Sequence, residues 1–322
     1  MIRKYVFGPV ASRRLGVSLG VDLVRPKTCS LDCIYCEAKA TTELTLERRE
    51  YVPVDEVIAE LDAVLKPHPE LDYITFSGSG EPTLNSGIGR VAEFLKTAYP
   101  HHKLSLLCLL TNGFCLGDPS LRREIAGIDR IVPSLDASNS EEFRIINRPA
   151  PGLKFDRFIY DLTDFCRCSK QEIFLELFIV PGVNDSDESI SRFVEIIRPM
   201  QVDLVQLNTL DRPGVVDWIR PSEPSNTRRF IAALEPFVAV EAVGPFRYRS
   251  KNAGQNPSLF TEMEKRIMDL VSRRPATVDD LEVALGCRAV EFHPILDRLF
   301  KAGFLEIEKR ERGTFYSAPA QR

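Results

Sequence analysis

YVPVDEVIAELDAVLKPHPELDYITFSGSG (51–80) holds the unit from which the rest of the chain can be read. Apolar residues recur at helical spacing through 51–68, with a start at Asp55. YITFSG (73–78) follows, a short apolar run that ends in a turn. Runs of the same kind stand at GVSLGVDL (16–23), LSLLCLLTNG (104–113), RIVPSLDA (130–137), IFLELFIV (173–180) and DLVQLNTL (203–210). They are rich in Val, Ile, Leu or Phe and lack clean polar alternation. That pattern belongs to strands buried on both faces of a parallel sheet. GIGRVAEFLKTAY (87–99) and DESISRFVEIIRPM (187–200) predict further helices. Six strands alternating with helices predict an α/β fold over residues 1–245, a partial (β/α)6 TIM-like barrel. The chemistry of such barrels sits where the strands end. Here those ends carry Ser77 to Glu81, Thr111-Asn112-Gly113, Ser134 to Asp136, Pro181 to Asn184 and Asn208.

The pattern changes after Pro245. FRYRSKNAGQNPS (246–258) is polar and irregular and reads as a linker. Residues 259–322 predict a small second domain. TEMEKRIMDLVSRR (261–274) is a helix with Ile267, Leu270 and Val271 inward. ATVDDLEVALG (276–286) is a second, with Thr277 as N-cap and Gly286 as its stop. CRAVEFHPILDRLFKAGF (287–304) is a third, and LEIEKRERGTFYSA (305–318) alternates like a hairpin around Arg312-Gly313. Three helices and a hairpin predict a winged helix-turn-helix. Its basic residues, among them Arg288, Arg298, Lys309, Arg310 and Arg312, are interleaved with acids, so no net basic duplex-reading face is evident.

At 322 residues, 44% hydrophobic and 27% charged, the chain has enough apolar mass for a full core. A formal net charge of −4 argues against a general polyanion binder. No run approaches the length of a membrane helix, and the N-terminus lacks an apolar signal core. A cytoplasmic protein is expected, in which the eight cysteines are thiols or metal ligands.

KTCSLDCIYCE (27–37) has the spacing C-x3-C-x2-C on the loop after the first strand. Thiolates on a short loop can converge on one soft metal centre. A structural zinc site would want a fourth Cys or His nearby, and none stands between Glu37 and Lys66. Three ligands leave a four-iron cluster one open position. Cys29, Cys33 and Cys36 are therefore the candidate metal ligands. Cys108, Cys115, Cys166 and Cys168 could ligate an auxiliary cluster but form no motif of comparable spacing, and Cys287 reads as packing. Arg13 and Arg14 could bind an anionic group of a substrate, and Asp136 either a ligand or a turn.

The cysteine spacing, with Tyr35 before the last cysteine, resembles the radical S-adenosylmethionine (radical SAM) family. FSGSGEPTL (76–84) resembles its glycine-glycine-glutamate motif, with Ser79 in a glycine position. TNG (111–113), SLDA (134–137) and VPGVND (180–185) extend the match. The resemblance implies a [4Fe-4S] cluster on Cys29, Cys33 and Cys36, with S-adenosyl-L-methionine chelated by the fourth iron. Gly78, Gly80 and Glu81 would hold its ammonium, and Tyr35 would lie near the adenine. Thr111, Ser134 and Asn184 would contact its carboxylate, ribose or adenine. One electron, from a flavodoxin or ferredoxin, would cleave the cofactor to a 5′-deoxyadenosyl radical that takes hydrogen from a substrate. The opening FGPVASRRLGVSLGVDL and the segment IINRP (145–149) narrow the resemblance to bacterial and archaeal members grouped loosely with the wyosine tRNA-modifying synthase. That enzyme has extra N-terminal cysteines, whereas no cysteine precedes Cys29 here. The implied substrate is macromolecular, an RNA base or a peptide, recruited by the winged helix. The other reading is an iron–sulfur redox or SAM sensor that regulates transcription.

Overall fold

The computed structural model describes residues 3–12, 14–67, 69, 71–99, 106–243, 246–250, 262–273, 275–285, 287–301, 304–310 and 313–318. The chain divides into two compact units, Met1–Ala253 and Gly254–Arg322.

The first unit begins with β1 (Val6–Ser12), β2 (Gly16–Val21), β3 (Thr28–Cys29) and β4 (Glu43–Leu44). It continues through α1 (Val54–Leu65), β5 (Tyr73–Phe76), α2 (Ile88–Ala98), β6 (Leu106–Thr111), α3 (Pro119–Glu124) and β7 (Arg130–Pro133). It ends with α4 (Ser140–Ile146), α5 (Phe155–Cys168), β8 (Glu172–Phe178), α6 (Asp187–Ile197), β9 (Leu204–Asn208), α7 (Pro224–Leu234), β10 (Val240–Ala242) and β11 (Tyr248–Arg249). One sheet runs in the order β1-β2-β5-β6-β7-β8-β9-β10-β11. From β2 to β10 every pairing is parallel, and β1 and β11 close the edges antiparallel. The six expected strands are all present. The short β10 adds a seventh parallel strand, and β11 lies within the stretch expected as a linker. The sheet stays open, as in a partial barrel, because β1 and β11 each have one neighbour.

The two faces of this sheet differ. Leu19, Val21, Ile74, Phe76, Leu109, Ile131, Leu175, Leu177, Val205 and Leu207 pack with the helices into one apolar core. Residues of the opposite parity form polar pairs across strands. The hydroxyls of Ser18 and Thr75 are 2.7 Å apart. Gln206 Nε2 donates to Glu241 Oε2 at 2.9 Å, and Asn208 Nδ2 to Glu176 Oε1 at 3.4 Å. Arg130 Nε donates to Glu172 Oε2 at 2.6 Å, its guanidinium 4.0 Å from the Phe174 ring centre. The expectation of strands without polar alternation is thus corrected. The inner face is mixed, with polar pairs set among buried apolar side chains such as Val132, Phe174 and Leu204.

The second unit contains α8 (Glu262–Arg273), β12 (Ala276–Thr277), α9 (Val278–Leu285), α10 (Ala289–Lys301), β13 (Glu306–Arg310) and β14 (Gly313–Ser317). Its strands form an antiparallel sheet in the order β12-β14-β13. Ile267, Val271, Leu281, Phe292, Leu296, Leu299 and Tyr316 form its core, with Leu270 packed against it. Thr277 Oγ1 accepts from the Asp280 amide at 3.2 Å, while Asp280 Oδ2 accepts from the Thr277 amide at 3.0 Å. That reciprocal cap starts α9. Gly286, Gly303 and Arg312, expected to end or turn elements, lie outside the described residues.

Candidate cluster site at the strand ends

The cysteine loop is a hoop closed on its own backbone. β3 pairs with β4, and the Thr45 amide donates to the Cys29 carbonyl at 2.9 Å. Inside the hoop, Asp32 accepts from the Thr41 amide at 2.6 Å, and the Leu31 carbonyl accepts from the Thr41 hydroxyl at 2.7 Å. IINRP lies alongside. The Ile34 amide donates to the Ile146 carbonyl at 2.9 Å, and Leu31 bridges to Pro149.

Each of the three sulfurs accepts from nitrogen. Cys29 Sγ receives the Leu31 amide at 3.5 Å and Asn112 Nδ2 at 3.6 Å. Cys33 Sγ receives Asn147 Nδ2 at 3.4 Å. Cys36 Sγ receives the Lys27 ammonium at 3.4 Å. Burial pushes the Cys29 thiol up to about 12 and the Cys33 thiol well above its usual range. The charges of Asp136, Cys29 and Cys36 push the Cys33 thiol in the same direction as burial. Among the described residues, no three His, Cys, Asp or Glu side chains converge closely enough to share a single metal ion. Three thiols are a soft donor set of the kind an iron–sulfur cluster takes, and they would leave one iron of a four-iron cluster without a protein ligand. Cys108 and Cys166 are buried, Cys115 is half-buried and Cys168 is exposed.

The loop 76–84 is laid against this hoop. The Lys27 amide donates to the Ser79 carbonyl at 2.9 Å and the Glu81 amide to the Thr28 carbonyl at 3.0 Å. A Cβ on Gly80 would stand 1.9 Å from the Thr28 carbonyl oxygen. Gly78 has φ +155°, and a Cβ there would strike the Asp22 carboxylate. The space these glycines leave is taken by the chain itself, which is how two loops meet so closely.

Glu81 is buried at 2% exposure. Its Oε1 accepts from the Thr83 amide at 3.1 Å, the Thr83 hydroxyl at 2.6 Å and the Thr111 hydroxyl at 2.7 Å. Its Oε2 accepts from the Asn112 amide at 2.7 Å. Burial raises its pKa, although these bonds favour the carboxylate. An ammonium contact was expected of Glu81, and four protein donors already meet this carboxylate. It joins the ends of β5 and β6, and Thr111 is engaged in the same knot. Asn184 was expected to contact the cofactor's carboxylate, ribose or adenine. It is fully buried, its Nδ2 donates to the carbonyls of Asp136 and Phe178 at 2.8 Å each, and its Oδ1 accepts from the Val180 amide at 2.8 Å. It ties β7 to β8 and faces no open space.

Tyr35, Ser134, Asn112, Asp136, Asn147 and Cys33 line one pocket beside the hoop. The Tyr35 ring stacks on Phe178 at 3.9 Å between centres, and its hydroxyl donates to Asp136 Oδ2 at 2.6 Å. Asp136 also accepts from Asn147 Nδ2 at 2.8 Å and from the Phe178 amide at 3.1 Å. Burial raises its pKa against those bonds. Asn147 thus bridges Asp136 to Cys33, a role that sequence reasoning missed. The only signal was its place in the quoted segment IINRP. Arg13 lies outside the described residues, and Arg14 pairs with Glu176 on the inner face.

An open, mostly parallel sheet with a three-cysteine hoop at its strand ends defines the class of barrel that carries an iron–sulfur cluster. The family profile described as Radical SAM superfamily matches residues 23–194. The chain belongs to the Radical SAM superfamily. Enzymes of this superfamily use a [4Fe-4S] cluster and S-adenosylmethionine. A UPF0026 protein of Synechocystis is 33% identical over 209 residues, covering 65% of this chain and 76% of its own. A UPF0026 protein of Methanocaldococcus jannaschii is 26% identical over 317 residues, covering 96% of this chain and 94% of its own. A protein of Brachyspira hyodysenteriae described as GTPase Obg is 32% identical over 302 residues. That match covers 93% of this chain but 43% of the Brachyspira protein. Among solved structures, a radical SAM methyltransferase from Sphaerobacter thermophilus superposes with a TM-score of 0.56 at 18% identity, covering 70% of this chain and 66% of that one. Streptococcus suis SuiB bound to S-adenosylmethionine gives 0.51 at 16% identity, covering 77% and 54%. Among the described residues no helix is long and apolar enough to cross a membrane.

Proposed function

We propose that Cys29, Cys33 and Cys36 hold a [4Fe-4S] cluster and that S-adenosylmethionine occupies the adjoining pocket, in an enzyme that takes hydrogen from an RNA base. The observation that carries the site assignment is the hoop itself, which holds three thiols at the strand ends, each met by a nitrogen donor. When bound, the two cofactors supply a carbon-centred radical, and the protein supplies position and exclusion of water. Asn112 and Asn147 orient the Cys29 and Cys33 sulfurs. Glu81 and Asn184 fix the strand ends against which the pocket is built. Ser134 and the Tyr35 ring offer a hydroxyl and a flat apolar surface where the resemblance implies ribose and adenine. Gly78 and Gly80 let the 76–84 loop close on the hoop and shape the ammonium side through the backbone.

The inner face supports a polar substrate, since it carries Glu176, Arg14, Asn208 and Gln206. The second unit has the element order of a winged helix and is proposed to recruit the RNA. A flavodoxin or ferredoxin is proposed as electron donor, in the cytoplasm, where thiols stay reduced. A transcriptional sensor has no need of a polar inner face, so the enzyme reading is preferred. The test is 5′-deoxyadenosine formation by reconstituted full-length protein given small RNAs or a peptide pool. Stimulation by RNA is expected. Stimulation by peptides alone would overturn the RNA reading and leave the cofactor assignment in place.

A further inference from the structure

Lys27 has a backbone and a surrounding that neither the cysteine spacing nor the fold requires. Its φ is +64°, the left-handed region that residues with a Cβ rarely adopt. Three backbone bonds hold it there. Its amide donates to the Ser79 carbonyl at 2.9 Å, and its carbonyl accepts from the amides of Thr42 and Glu43 at 3.0 Å each. The result is a lysine with 9% of its surface exposed. A buried ammonium needs an anion, because removal from water is costly unless the charge is paired.

The nearby carboxylates are engaged elsewhere. Glu43 accepts from the Thr28 hydroxyl at 3.2 Å and Arg49 at 2.9 Å. Asp32 accepts from the Thr41 amide, and Glu37 pairs with Arg212 at 3.3 Å. Among the described residues, the Lys27 ammonium meets only Cys36 Sγ, at 3.4 Å. The other nitrogen donors to the three sulfurs, the Leu31 amide, Asn112 and Asn147, are neutral.

We propose that Lys27 is the redox-poising residue of the site, its charge set against the Cys36 ligand to favour the reduced cluster. The inference rests on the cluster assignment above. Three thiolates around a four-iron core leave a net negative charge, and one-electron reduction adds another. A fixed cation in a dry site stabilises the reduced form more than the oxidised form and so raises the reduction potential. Two carboxylates stand by the other ligands: Glu81 accepts from the amide of Asn112, whose Nδ2 meets Cys29 Sγ, and Asp136 shares Asn147 with Cys33 Sγ. Lys27 offsets them, which makes the cluster accessible to a weaker electron donor. The strained backbone is the means of aiming a flexible side chain at one sulfur.

The test is a potentiometric titration of the reconstituted full chain without S-adenosylmethionine, followed by visible absorbance and EPR. Lys27→Met and Lys27→Gln are compared with Lys27→Arg and the parent, with dithionite as reductant. The expected result is a lower midpoint in both neutral variants at unchanged iron content, with Lys27→Arg near the parent. If both neutral variants lose iron while Lys27→Arg retains it, the site's need for a cation stands. A parent-like midpoint in either neutral variant overturns the proposal, as does loss of iron in all three. Unchanged midpoints with weakened S-adenosylmethionine binding also overturn it and assign Lys27 to the cofactor carboxylate instead. A parent protein that binds no iron would fail the cluster assignment, which is a different result.

Discussion

The two faces of the main sheet are built by different rules. The outer face is continuous hydrocarbon, closed by helices that contribute residues such as Val57, Ile88, Phe158, Phe193 and Phe230. The inner face pairs acid with base and amide with acid, and its most closed pair, Arg130 with Glu172, has side chains only 6% and 12% exposed. Apolar contact is non-directional and tolerates a neighbour's shift. Buried polar pairs tolerate it poorly, because a lost partner leaves an unsatisfied group. The outer face is therefore suited to hold the fold, and the inner face to hold a geometry.

The largest effects should come from the closed parts of both faces. Phe76→Ala empties a fully buried site and should cost about 3–5 kcal/mol in denaturant unfolding. A cost below about 1 kcal/mol would mean that the outer core collapses freely. Arg130→Ala should cost about 3–5 kcal/mol by stranding Glu172, whereas replacing both partners with apolar residues should restore most of it. A double variant as damaged as the single one would break the contrast.

Thiols on the two faces sharpen it through pH. Burial pushes Cys108, in β6 on the inner face, and Cys166, in the outer core, from 9.0 to about 12. Between those values the folded state binds more protons than the unfolded state. Stability should therefore fall as pH rises through that window, by up to about 1.4 kcal/mol per pH unit per thiol. Cys166→Ala and Cys108→Ala should each flatten the slope in unfolding measured from pH 9.0 towards 12. An unaltered slope would contradict the assignment. The smallest effect belongs to the open part of the inner face. Glu176→Gln should cost less than Arg130→Ala, about 1–2 kcal/mol, since the amide keeps the side chain's shape and Arg14 is 22% exposed against 6% for Arg130. A loss above about 3 kcal/mol would place Glu176 in the closed core instead.

Much of the scaffold was legible because strand and helix periods are local. The six apolar runs and the helices at 54–65, 88–98 and 187–197 follow from spacing. The polar inner face was not read, since Glu172, Glu176, Gln206 and Asn208 alternate within runs whose apolar residues dominate the eye. β10, at three residues, is too short to register. The cysteines and the 76–84 and 111–113 loops announced themselves through type and spacing. What spacing could not show was which way Glu81 and Asn184 point. Their orientation depends on partners 30 and 48 residues away, Thr111 and Asp136. Asn147 reaches Cys33 across 114 residues and was missed for the same reason. Lys27 was quoted only as the first letter of the cysteine motif, because a positive φ has no signature in a lysine.

The central claim is that the hoop carries a cluster which cleaves S-adenosylmethionine. It is tested most directly by anaerobic reconstitution, dithionite reduction and assay of 5′-deoxyadenosine for the parent and Cys33→Ala. The account predicts iron and 5′-deoxyadenosine in the parent and loss of the product in Cys33→Ala. An iron-loaded, reduced parent that leaves S-adenosylmethionine intact, or a Cys33→Ala protein that still cleaves it, would contradict the account.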